Sequence, residues 1–267
     1  MKRPSPQESV NFDRAAGYYD RSRGYPTAVE AEVTAVLVAA LDGRERCLEV
    51  GVGTGRIAIP LHRAGVRMVG VDISPRMLEK LLEKSGGRPP FPVGVADATA
   101  LPFGPGSFGA TLAAHVLHLI PHWRAVVAEM ARVLGPGGIV LVNLTGGGGE
   151  LRVALRDRFV VAGGLERTHL GVVDAEELDA AFARMGLRGR DLPAVESRSS
   201  VRLEDFIARL ERGEHSYAWR MDDPARHRAA DSVRAWARER YGSLTEPQPA
   251  LELIRWRAYE ATSPAPH

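Results

Sequence analysis

Cysteine is nearly absent from this chain: Cys47 is the only one in 267 residues. That excludes an internal disulfide framework and any cysteine-rich metal site. Cys47 sits in an apolar strand pattern, which suits a buried, inert thiol. No H-E-x-x-H or comparable ligand spacing occurs either, so no metal is expected. Long hydrophobic runs are also lacking. The longest, VTAVLVAAL at 33–41, is too short to cross a bilayer, and MKRPSPQESV at the N-terminus has no apolar core of the signal-peptide kind. The expectation is a cytoplasmic protein with no membrane partner. Nor is there an excess of one charge: 35 Lys and Arg face 33 Asp and Glu, a net +2, with no basic tail. A nucleic-acid partner is therefore not expected. Lysine is rare beside arginine, 3 against 32, which reads as compositional bias without functional content.

What is present is a soluble globular composition, 45% hydrophobic and 25% charged, and an alternation that sets the fold class. Strand RCLEV (46–50) precedes helix RIAIPLHRAG, and strand RMVGVD (67–72) precedes SPRMLEKLLEK. Strands follow at FPVGVAD (91–97) and FGATLAAH (108–115), then helix WRAVVAEMARVL, the turn GPGG at 135–138 and strand IVLVNL (139–144). Short apolar strands alternating with amphipathic helices predict an open, mostly parallel α/β sheet. Ahead of it, 11–19 suits a short helix and 27–41 a longer one opened by Pro26. After 145 come a helix in ELRVALRDRFVVAGG and a second at 174–186, with Asp174 as N-cap and Gly186 as terminator. A strand is expected within 187–200, two helices within 202–241 and a final half-exposed strand at about 251–261. The expected organisation is an N-terminal helical cap (1–45), an α/β core (46–145) and a C-terminal part of the same domain (146–267). The helices of 202–241 either pack on the sheet edge or cover a substrate site. Tyr217 and Trp219 there are expected to be packing residues.

The loop after the first strand carries the chemistry. LEVGVGTGR (48–56) places Gly51, Gly53 and Gly55 at alternate positions behind Glu49. Glycines at that density after a strand let backbone approach a ligand closely. A dinucleotide fingerprint requires Gly-x-Gly-x-x-Gly. Here the third glycine comes one residue early, and Arg56 holds the fingerprint position. Glu49 would also stand poorly beside a pyrophosphate and well beside an ammonium group. A nicotinamide-dependent oxidoreductase therefore fits badly.

These residues resemble motif I of the class I S-adenosylmethionine (SAM)-dependent methyltransferases, and further motifs follow in order. VGVDISPRML (69–78), GVADATALPF (94–103) and LGPGGIVLV (134–142) resemble the later ones, and the chain is similar to the methyltransferase type 11 domain of small-molecule enzymes. The resemblance implies a Rossmann-like seven-stranded sheet whose last strand is antiparallel. It further implies SAM as cofactor, with S-adenosylhomocysteine as product. Asp72 would accept hydrogen bonds from the ribose hydroxyls, and Ile73 and Met77 would wall the adenine and cofactor. Asp97 would accept from the adenine amino group and the Ala98 N–H would donate to a ring nitrogen. The segment FDRAAGYYDRSRGYP resembles the cap of small-molecule members, with Tyr19 and Arg23 at the methionine end.

Methyl transfer from a sulfonium releases a neutral leaving group, so alignment and exclusion of water are the main demands. A base is needed only where the nucleophile must lose a proton. HVLHLIPHW (115–123) offers His115 at the end of the fourth strand and His118 three residues on, sharing a face if that loop turns helical. His122 is expected to start the next helix. The implied activity is methylation of a small-molecule acceptor by a monomer or homodimer. The alternatives are a methyltransferase for RNA or protein, or a SAM-binding protein without catalysis.

Overall fold

The computed structural model of the chain describes residues 10–20, 24–143, 149–166 and 169–261. The helix expected at 11–19 is mostly turn, and only Tyr19 and Asp20 are helical. Helix α1 (Thr27–Ala40) starts behind Pro26 and buries Val29, Val33 and Leu37, one residue per turn. Strand β1 (Cys47–Val50) leads to α2 (Ala58–Arg63), and β2 (Met68–Asp72) leads to α3 (Pro75–Lys84). The Ser74 hydroxyl caps α3 by accepting the Met77 N–H at 3.1 Å, and Pro75 occupies the first turn. Met77, Leu78 and Leu81 form its buried face. Next come β3 (Val93–Val95), β4 (Phe108–Ala114), α4 (Trp123–Arg132) and β5 (Leu134–Asn143). The GPGG turn falls inside β5, because Phe108 pairs with Leu134 but Ala110 pairs with Ile139. The intervening residues bulge out of the ladder.

Beyond Asn143 lie α5 (Gly149–Ala162), α6 (Ala175–Ala183), β6 (Leu187–Asp191), β7 (Val195–Arg202), α7 (Leu203–Glu211), α8 (Asp223–Tyr241), β8 (Pro247–Ile254) and β9 (Arg257–Ala261). The seven-stranded sheet runs β3-β2-β1-β4-β5-β9-β6, and β9 is antiparallel to both of its neighbours. The strand within 187–200 proves to be two, and the run 251–261 is also two strands rather than one. Its first part is the end of β8, which pairs with β7 in a separate ribbon, and the rest is β9. The alternation misleads here because it continues unbroken: Ile254, Trp256 and Ala258 are all fully buried while the pairing partner changes.

Two compact units result. Among the described residues, the sheet unit takes in 11–20, 24–143, 171–195 and 254–261, and the helical unit 149–166, 169–170 and 196–253. These boundaries differ from the expected 1–45, 46–145 and 146–267, since the chain passes between the units several times. In the sheet unit the central strands are buried on both faces, as parallel strands require. One face packs residues of α1, α2 and α3 against Leu112 and Leu141. The other packs Val126, Val127 and Met130 of α4, with Leu178 and Phe182 of α6, against Leu48, Val140 and Tyr259. Edge strand β6 exposes Arg188, Arg190 and Asp191, charges that discourage pairing with another chain. The helical unit has its own core, including Leu155, Phe159, Phe206, Leu210, Tyr217 and Val233. Tyr217 and Trp219 are both buried. Arg234 of α8 ties this unit together by ion pairs to Glu204 at 2.9 Å and Glu211 at 2.6 Å.

The antiparallel strand is anchored by α6. Phe182 stacks on Tyr259 with ring centroids 4.1 Å apart, and both are fully buried. Arg257 grips Asp179 with two nitrogens, at 3.0 and 2.6 Å, while the Tyr259 hydroxyl donates to the same carboxylate at 2.8 Å. Phe182→Ala is expected to lose about 3–5 kcal/mol of stability, read as a lowered urea midpoint in far-UV circular dichroism.

Candidate functional site

In an open α/β sheet the ligand crevice lies at the carboxyl ends of the strands where the order reverses. Here that point is between β1 and β4. Leaving β1, the chain turns sharply through Gly51, Gly53 and Gly55, with φ of 69°, 54° and 78°. All three lie in the left-handed region where side chains are strained. At Gly51 space forbids a side chain as well, since an added Cβ would come within 2.6 Å of Val116. The loop after β1 is thus packed directly on the residue that follows His115.

A carboxylate from the next strand fixes this loop. Asp72 accepts the Gly53 N–H at 2.8 Å through one oxygen and the Ser74 N–H at 2.8 Å through the other. Burial raises the Asp72 carboxyl above its ordinary range; those two N–H bonds oppose the rise and the charge of Asp13 adds to it. Glu49 is more deeply enclosed, at 2% exposure. Burial pushes its carboxyl well up; Arg56 pulls it down, Asp72 raises it further, and the donated N–H of Ala58 lowers it. Among the described residues its Oε2 has no hydrogen-bond partner. A buried carboxylate oxygen left unmatched is costly, and a cationic group placed against it relieves that cost.

Ile73, Met77, Asp97 and Ala98 follow the carboxyl ends of β2 and β3. Ile73, just past β2, is 39% exposed, an open apolar surface for a flat ring. Met77 is buried, with its Cε 3.2 Å from where a Cβ at Gly53 would stand, so it supports the loop from beneath. The Asp97 Oδ1 accepts both the Thr99 N–H at 2.9 Å and the Thr99 hydroxyl at 2.8 Å, fixing the turn that presents Ala98. Glu129 and Arg132 of α4 hold the continuation of that loop: Glu129 accepts the Leu101 N–H, and Arg132 donates to the carbonyls of Leu101 and Phe103. Tyr19 packs edge-on against Phe12 at 5.7 Å. Arg23 lies outside the described residues.

The histidines are arranged otherwise than expected. A 3-10 turn covers only Leu117–Leu119, and His115 precedes it with φ 53°, the one left-handed non-glycine among the described residues. His115 and His118 therefore share no helical face. Such a backbone costs on the order of 1–3 kcal/mol and persists where the surroundings impose it. The His115 Nε2 lies 3.2 Å from the Tyr25 hydroxyl. His118 is held by its backbone, its carbonyl accepting the Gly171 N–H at 3.0 Å. His122 is the N-cap residue of α4. Among the described residues no three His, Cys, Asp or Glu side chains gather as a metal site would need.

Sequence reasoning missed several residues around this edge. Asp20 accepts the Thr54 hydroxyl at 2.6 Å and pairs with Lys84 at 3.1 Å; Asp13 accepts the Ser74 hydroxyl at 2.6 Å. The segment before α1 is thereby tied to the loops after β1 and β2. Arg56 lies over the Tyr25 ring, 4.7 Å from its centroid. Arg56 was visible in sequence only as the residue that breaks the dinucleotide fingerprint. Nothing local marks Tyr25, whose partner is 90 residues away.

With this geometry in hand, similarity to known proteins decides the family. Residues 48–142 match the profile of a methyltransferase domain. A malonyl-[acyl-carrier protein] O-methyltransferase of Geobacter sulfurreducens is 30% identical over 183 residues, which cover 66% of this chain and 68% of that protein. The chain belongs to the class I SAM-dependent methyltransferases. A phosphatidylethanolamine N-methyltransferase of Cereibacter sphaeroides is 38% identical over 47% of this chain and 62% of its own length. A demethylmenaquinone methyltransferase of Clavibacter sepedonicus is 32% identical over 53% and 58%. The chain thus spans less than two thirds of the length of these last two relatives. Among solved structures, the YcgJ protein of Bacillus subtilis aligns with TM-score 0.60 at 18% identity, covering 87% of this chain and all of that one. That likeness shows the same fold.

The Glu49 site fits the ammonium end of SAM, the cofactor of this family, because its unmatched oxygen calls for a cation. The linkage has a definite sign. The folded carboxyl is raised, so no stability is lost below the unfolded value, about pH 4.3. Stability then falls as pH climbs toward the folded value, because the unfolded chain ionises first. Glu49→Gln is expected to raise the melting temperature at pH 7. Calorimetry with S-adenosylhomocysteine in buffers of differing ionisation enthalpy is expected to show proton release from the wild type, abolished in Glu49→Gln.

Proposed function

We propose that the chain transfers a methyl group from SAM to a small-molecule acceptor by in-line displacement. The observation that carries this reading is the Glu49 carboxylate, buried behind three left-handed glycines with one oxygen unmatched. Bound at this edge, SAM supplies a methyl group on a positively charged sulfur, which leaves as a neutral thioether.

The chain's own residues would bind and orient. Glu49 receives the ammonium group, and the absence of side chains at Gly51, Gly53 and Gly55 would let the cofactor lie against the backbone of the turn. Asp72 accepts from the ribose hydroxyls with the lone pairs that its two backbone bonds leave over. Ile73 covers one face of the adenine, and Met77 backs the loop. Asp97 and the Ala98 N–H read the adenine edge. Tyr19 stands at the methionine end. His115 stands at the carboxyl end of β4 beside the turn, where it contacts the acceptor or takes its proton, and His118 lines the same approach. Relatives described as O- and N-methyltransferases of small or carrier-bound substrates support a small acceptor. So does the balanced charge, which gives no attraction to a polyanion. No helix among the described residues is long and apolar enough to cross a membrane. We assign the chain to the cytoplasm, as a monomer or homodimer.

Thermal shift with SAM, S-adenosylhomocysteine, NAD and NADP in parallel tests the reading. At a hundredfold excess over Kd, a ligand specific for the folded state adds about 2.7 kcal/mol. Both adenosyl compounds are expected to raise the melting temperature and neither nicotinamide nucleotide is. Asp72→Ala is expected to abolish the shift; a shift retained at full size places the ribose elsewhere.

A further inference from the structure

An α-amino acid carries an ammonium and a carboxylate on one carbon, so a site for it needs an anion and a cation side by side. Glu49 supplies the anion. Among the described residues, Arg56 is the cation whose charge acts on Glu49, drawing its carboxyl down against the effect of burial. Arg56 directly follows Gly55, the last of the three left-handed glycines. A second set of contacts locates its guanidinium. The central carbon lies 4.7 Å from the centroid of the Tyr25 ring, and that tyrosine packs on the core that α1 helps to form. The Tyr25 hydroxyl in turn lies 3.2 Å from Nε2 of His115, the residue after β4. The guanidinium is therefore bracketed by the ends of β1 and β4, the two strands between which the sheet order reverses.

We propose that Arg56 binds the carboxylate at the amino acid end of the cofactor, as the counterpart of Glu49 on the ammonium. A guanidinium has five N–H donors and stays charged at any working pH, so it can take a carboxylate through two of them and keep its other partners. Its place over an aromatic face also limits its motion, so less freedom is lost when the carboxylate arrives. The pairing has a consequence for selectivity. An ammonium that arrives alone meets attraction from Glu49 and repulsion from Arg56. A carboxylate on the same carbon adds a second attraction that offsets the repulsion. The site thereby distinguishes an adenosyl amino acid from an adenosyl amine. The assignment rests on the proposed function in placing the ammonium at Glu49, and goes beyond it in naming the partner of the second charge.

The test compares two ligands by isothermal titration on the full chain at pH 7. One is S-adenosylhomocysteine; the other is its decarboxylated analogue, S-adenosyl-3-thiopropylamine, which keeps the ammonium and lacks the carboxylate. The wild type is expected to bind the amino acid form about ten- to a hundredfold more tightly, the span of a charge-assisted hydrogen bond. Arg56→Gln is expected to bring that ratio close to one, and Arg56→Lys, which keeps the charge without the fork, to leave it in between. A loss common to both ligands reports Arg56 acting through Glu49, whereas the ratio isolates the carboxylate. A ratio unchanged in Arg56→Gln overturns the assignment and leaves the methyltransferase reading standing, since S-adenosylhomocysteine still binds. Should Arg56→Gln lose its far-UV circular dichroism, an undiminished ratio in Arg56→Lys overturns the assignment in its place. Equal affinity for the two ligands in the wild type overturns it without any variant. No binding of either ligand by the wild type sinks the methyltransferase reading and the assignment together.

Discussion

The carboxylate of Asp72 is the joint on which the site depends. One oxygen takes the backbone of Gly53 and the other that of Ser74. Two loops that begin on neighbouring parallel strands are thereby held at one separation. Ser74 then spends its hydroxyl on α3 and on Asp13, while Thr54 reaches Asp20 from the other loop. A group enclosed in this way is held by several partners at once, and its geometry is preorganised for a ligand that must be aligned.

The same edge concentrates negative charge where burial makes it expensive. Beyond burial, Asp72 raises the proton affinity of Glu49, and Asp13 raises that of Asp72. Backbone N–H groups and Arg56 compensate only in part, leaving a field that favours a cation at the glycine turn. The helical unit shows the opposite sign. There, burial and the nearby Arg156, with Arg220 as a smaller contribution, push His169 down to about 4. The near-neutral total charge conceals both environments.

Legibility from the sequence followed the range of the interactions. The alternation of strands and helices, the glycine turn and the Asp174 cap are written in residues a few positions apart, so they could be read directly. The seven-stranded sheet with its antiparallel β9 came from the family resemblance and is present. What escaped was nonlocal or masked by local pattern. The run 251–261 keeps one alternation while changing partners, and period alone carries no information about which strand lies alongside. His115 and His118 have helical spacing, but Val116 packing on Gly51 leaves His115 outside the turn. Tyr25 meets His115 only because α1 and β4 lie together in the folded chain. Asp13 and Asp20 look like ordinary surface acids until the loops they grip are in place.

The order of the strands has one more consequence. Strands β1 to β5, with every loop that holds the candidate cofactor contacts beyond the N-terminal segment, form one unbroken stretch ending at Asn143. The helical unit enters only later, mainly as two excursions, one on each side of α6 and β6. In genetic terms the chain has a natural splice point. Recombination or gradual length change after β5 can exchange either excursion without disturbing a single register among the first five strands. The donor side of the protein can stay constant through such exchanges while the later half diverges.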